Sequence, residues 1–123
     1  MLCGKGESMM LRNPYPKGCN LEVGELTAEV VFRIDEGLPY FEGHFPGNPI
    51  VPAVTQIGWI LVAVEAWRGR PLERYRLSRF KFVLPLRPDV FVRVALEQKG
   101  DRYAVRVFSN DELCCSGNVS VLG

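Results

Sequence analysis

The sequence is short of most groups that announce a metal, a redox cofactor or a nucleic-acid partner. It holds one histidine, His44, in 123 residues. A zinc site of the usual Cys/His kind needs more than that. The four cysteines, Cys3, Cys19, Cys114 and Cys115, include no Cys-x-x-Cys spacing. We read them as buried or idle thiols of a reducing cytosol, and expect no metal. Neither sign of charge is in excess: 15 Lys and Arg stand against 14 Asp and Glu, a net +1. A domain built for phosphate backbones shows a clear basic surplus, so no nucleic-acid partner is expected. No apolar run reaches the length of a membrane span, and the longest, Ile57 to Ala66, contains Glu65. The opening MLCGKGESMMLRNPYPKG has no apolar core of signal-peptide length. The cytoplasm is the expected compartment, with no membrane partner.

What is present fits one domain over residues 1–123, long enough for a real apolar core. Residues 1–20, rich in Gly, Pro and polar groups, are expected to form an extended or partly ordered arm. From Leu26 to Ile34, Ala28, Val30, Phe32 and Ile34 alternate with Thr27, Glu29, Val31 and Arg33. That period of two predicts a strand with one buried face. Residues 35–52 hold four prolines and three glycines, which rules out a helix and demands a loop. Pro52 then opens a helix that Gly69 can close, with Arg68 and Arg70 near its C-terminal end. This helix is apolar on nearly every side, so it is expected to be wrapped by a sheet. Four more strands are predicted over 75–84, 90–98, 102–108 and 113–122, with Gly100-Asp101 as a short turn. The order predicts an α+β fold, an antiparallel sheet around one long central helix.

The segment Phe41-Glu42-Gly43-His44-Phe45-Pro46-Gly47-Asn48-Pro49-Ile50-Val51-Pro52 is the most informative part of the chain. It closely resembles the signature loop of the hotdog-fold 3-hydroxyacyl-acyl-carrier-protein dehydratases, in which a GHFPGxPxxPG stretch precedes the central helix. Gly43, His44, Phe45, Pro46, Gly47, Pro49 and Pro52 match in register. The chemistry gives the parts meaning. Dehydration of a 3-hydroxyacyl thioester needs a base for the α-proton, and a neutral imidazole suits that task near pH 7. It also needs donors for the charge that grows on the thioester oxygen, which amides at a helix start supply. The resemblance implies His44 as base and the Ala53 amide as oxyanion donor, where the family usually has glycine. It implies Phe45, Pro46, Gly47, Pro52 and Trp59 as substrate-binding residues.

The third part is missing. The family places a Glu or Asp fourteen residues after the histidine to protonate the leaving hydroxyl, and here that position is Gly58. Gln56 is the nearest polar helical neighbour; it can polarise the hydroxyl or order a water, but cannot act as a carboxylic acid. Glu65 shares the face of Gly58 but lies ~10 Å further along the axis. A narrower resemblance bears on this: Val54-Thr55-Gln56-Ile57-Gly58-Trp59 is similar to the helix start of dehydratase-like proteins of aryl polyene synthesis, which carry Gln and Trp at the same two places.

The resemblance implies a dehydratase-like protein acting on acyl thioesters of an acyl carrier protein or CoA, in fatty acid or polyketide-type synthesis. No cofactor is implied, because the pantetheine arm arrives with the substrate. A homodimer or higher homo-oligomer is implied, with His44 of one subunit facing the helix of its partner. Arg76, Arg79 and Lys81 are either a solvated charged face or a docking patch for an acidic carrier. Two other functions stay open: a non-catalytic acyl-binding or partner subunit, and a hotdog thioesterase.

Overall fold

The computed structural model describes residues 7–12, 14–34 and 50–122. Along the chain come β1 (Glu7–Met10), β2 (Asn20–Val23), β3 (Thr27–Ile34), α1 (Ala53–Arg68), β4 (Tyr75–Phe82), β5 (Val90–Lys99), β6 (Arg102–Ser109) and β7 (Glu112–Val121). The strands form one antiparallel sheet in the order β1-β2-β3-β5-β6-β7-β4. The edges are therefore β1 and β4.

The alternation in β3 works as expected. Ala28, Val30, Phe32 and Ile34 are buried and their neighbours are exposed. They pair in register with Leu96, Val94, Val92 and Val90 of β5. Because cross-strand partners share a face, one side of the sheet becomes a continuous apolar floor. Helix α1 lies on that floor, against β1, β2, β5 and β6, and Trp59, Ile60, Val62, Ala63 and Val64 complete the core. Gly69 ends the helix in the left-handed region, φ 77°, and its amide bonds Glu65 O at 2.9 Å. Gly100-Asp101 is the two-residue turn between Lys99 and Arg102, with Gly100 at φ 66°. Asn110-Asp111, both at positive φ, makes the next hairpin.

One expectation is corrected. Residues 1–20 are not simply an arm: β1 lies within them and pairs with β2, and neither strand was foreseen. Each is four residues long, too short for a period of two to stand out. The expected packing of the sheet against the helix holds, and one more element joins it. The segment between β1 and β2 crosses the other side of the helix: Leu11 and Tyr15 are buried, and Leu11 N bonds Cys19 O at 2.9 Å.

Candidate active site

Pro52 sits at the N-cap in extended conformation and caps nothing with its side chain. Thr55 N and Gln56 N both reach Pro52 O, at 3.1 and 3.3 Å, which starts the helical ladder. The amides of Ala53 and Val54 come before any intrahelical acceptor, so the helix itself does not use them. Both residues are exposed, and the first turn carries no acidic side chain to compete for those amides. This is the physical requirement for an oxyanion site: donors at the positive end of a helix, open to a ligand. His44, Phe45, Pro46 and Gly47 lie outside the described residues.

The remaining helical positions part company. Gln56 and Gly58 are two residues apart, roughly 200° around a helix of 3.6 residues per turn. Gln56 turns inward and is 3% exposed. Its Nε2 donates to Val51 O at 3.5 Å, and its Oε1 has no partner among the described residues. Gly58 faces the other way, toward the segment between β1 and β2. A Cβ built on it would lie 3.7 Å from Pro14 Cγ. Gln56 therefore does not occupy the place left empty at Gly58. Trp59 is fully buried between Tyr15 and Phe32, with ring centroids 6.4 and 5.0 Å away, and so is core rather than open binding surface.

Glu65 is also committed elsewhere. Its carboxylate accepts from Leu72 N at 2.9 Å and from Arg12 at 2.6 Å. The Leu72 amide first, and the Arg12 guanidinium after it, hold its pKa below the ordinary carboxylate value. A carboxylate stabilised in its charged form is a poor proton donor.

The sequence did not single out Arg12, Pro14 and Tyr15, which close the Gly58 side. Tyr15 donates its hydroxyl to Trp59 O at 2.6 Å and meets Phe32 edge-on at 5.3 Å. One signal was available: an aromatic residue between Pro14 and Pro16 is held extended and needs somewhere to bury. Arg76, Arg79 and Lys81 are exposed on β4, at the sheet edge. Cys114 and Cys115 are buried thiols, and burial pushes the Cys115 pKa up to about 11, which makes it unreactive. Among the described residues no group of side chains could hold a metal ion, and no helix is long and apolar enough to cross a membrane.

The family model for the ApeI-like proteins, described as ApeI dehydratase, matches residues 20–118. The chain belongs to this family. Among curated relatives, the 3-hydroxyacyl-acyl-carrier-protein dehydratase FabZ of Syntrophobacter fumaroxidans is 35% identical over 75 residues, 52% of this chain and 51% of that protein. The FabZ of Rhizorhabdus wittichii is 30% identical over 112 residues, 79% of this chain and 69% of that one. The chain spans about half the length of several curated relatives it matches. Among solved structures, the dehydratase heterocomplex ApeI:P from Xenorhabdus doucetiae superposes with a TM-score of 0.66 at 20% identity, over 94% of this chain and 96% of that one. The ApeI-like chain thus has the hotdog fold that its signature loop implied.

Proposed function

We propose that this ApeI-like domain dehydrates 3-hydroxyacyl thioesters, carried on an acyl carrier protein or CoA, as one half of a pair of hotdog units. The observation that carries the reading is the start of α1. The exposed residues Ala53 and Val54 head the helix with no acid in the first turn, and five residues separate them from the GHFPG stretch. His44 takes the α-proton, and the electron pair moves toward the thioester carbonyl. The Ala53 amide holds the charge that develops on the carbonyl oxygen. The electrons return to form the C2–C3 double bond as the C3–O bond breaks. The departing oxygen needs a proton to leave as water. With Gly58 lacking a side chain, the groups able to give it are the His44 imidazolium just formed and a protonated carboxylic acid from a partner chain. The pantetheine arm comes with the substrate.

A second reading is favoured by one observation. A Cβ on Gly58 would meet Pro14 Cγ at 3.7 Å, so the empty acid position borders the chain's own segment between β1 and β2. That suits a non-catalytic, acyl-binding partner subunit. An assay on a carrier-bound 3-hydroxyacyl chain, with His44→Ala beside the parent, separates the two. We expect turnover by the parent and a loss of about 10²–10⁴-fold in the variant. No turnover by the parent gives the partner-subunit reading. Equal turnover by both removes His44 from the mechanism.

A further inference from the structure

Helix α1 starts without the usual fastening. Its N-cap is Pro52, which makes no side-chain bond to the first turn. A Ser, Thr, Asp or Asn cap would fix that turn, but by taking the second or third amide of the helix. The chain holds the start by other means. Val51 N donates to Leu86 O at 2.8 Å, and Asp89 N donates to Ile34 O at 2.8 Å. The helix entry is thus tied to the β4–β5 connection, and that connection to the end of β3. Gln56 adds a third tie. Its side chain reaches back over the first turn, and Nε2 donates to Val51 O at 3.5 Å. Val51 lies one residue before the cap, so this bond bears on the Val51-Pro52-Ala53 backbone that aims the Ala53 N–H.

Packing alone does not account for an amide in that place. Among the described residues, Gln56 is the one buried residue with a polar side chain, and its Oε1 has no partner. Only Nε2 can face Val51 O, because two carbonyl oxygens would repel, so Oε1 is the end left over. A buried acceptor without a donor is destabilising, and an apolar side chain of similar size would avoid that loss. The bond to Val51 O is long, as bonds that serve a reaction often are before the ligand arrives. A side chain that costs stability, one turn from the oxyanion amide, calls for a task other than filling the core.

We infer that Gln56 is a positioning residue: by holding Val51 O it fixes the direction of the Ala53 amide, and it uses no amide of the helix start to do so. This rests on the proposal that the Ala53 amide stabilises the oxyanion. A donor aimed in advance stabilises the charge as it develops, with no reorientation during the reaction. The effect belongs to the transition state, where the oxygen is charged, and so to kcat rather than KM. The task differs from polarising the leaving hydroxyl. The Nε2 bond goes to the backbone, and Oε1, an acceptor, gives no help to a departing oxygen.

Gln56→Met tests this, since methionine has a similar reach and no amide. Gln56→Leu is the second variant, for use if the longer side chain does not pack. Three readouts separate positioning from packing. The melting temperature should stay level or rise, because the partnerless Oε1 is gone. Turnover of a carrier-bound 3-hydroxyacyl chain should fall about 10–100-fold in kcat, with KM within about threefold of the parent. By NMR relaxation, the Ala53 and Val54 amides should be rigid in the parent, with order parameters of about 0.85, and lower in the variant, while β3 and β5 stay unchanged. Order parameters equal to those of the parent, or an unchanged kcat, overturn the inference. So does a melting temperature that falls, which would make Gln56 a packing residue. If the parent itself shows no turnover, the dehydratase reading fails, and the amide order parameters decide the role of Gln56.

Discussion

Strands β3 and β4 follow the same rule and meet opposite fates. Both place apolar residues on the core side of one sheet. In β3 the row Ala28, Val30, Phe32 and Ile34 is at most 5% exposed. In β4 the row Tyr75, Leu77 and Phe82 is at least 37% exposed. The difference lies in the cover, not in the strands. The helix and the Leu11–Tyr15 segment sit over the β3 side, and β4 is left at the rim. Patterning therefore tells which face a strand buries, while burial itself depends on what lies above it.

Substitutions can break that contrast. Phe32→Ala removes a ring packed against Tyr15 and Trp59 and should cost about 3–5 kcal/mol in urea unfolding. Leu77→Ala, on the open row, should cost the isolated chain under about 1 kcal/mol, because large losses come from buried sites. A Leu77→Ala cost as large as that of Phe32→Ala would mean the row is already covered. Gly117→Ala is next: its Cβ would collide with the Phe80 ring, and we expect a loss of about 1–3 kcal/mol. Adding Phe80→Ala should recover part of it, and strict additivity of the two would show that they do not touch.

Smaller changes sharpen the β3 side. Tyr15→Phe deletes the buried hydroxyl bond to Trp59 O, and should lower stability by about 0.5–1.5 kcal/mol. Gly58→Ala should do the reverse. A Cβ there meets Pro14 at ordinary contact distance, and alanine is better in a helix by up to about 1 kcal/mol. A fall in melting temperature for Gly58→Ala would show that the cover over that face is tighter than the structure has it.

The residues that repeat were the ones legible in the sequence. The period of β3 located its core face, Pro52 and Gly69 bracketed the helix, and the GHFPG loop pointed to the family. The position of the missing acid could be counted from His44. Contacts that join distant segments were not legible. Nothing local says that Pro14 borders Gly58, 44 positions away in sequence. The opposed directions of Gln56 and Gly58 follow from helical geometry, but which of them meets the sheet depends on the packed fold. The short strands β1 and β2 had too few residues to show a period. The charge of β4 was visible, but its place at the sheet edge came from the strand order.

Hydrogen exchange of β4 against β3 tests the central claim most directly. The amides of β4, at the open edge, should exchange faster than those of β3, which lies inside the sheet under the helix. Protection of β4 equal to that of β3 would contradict the account.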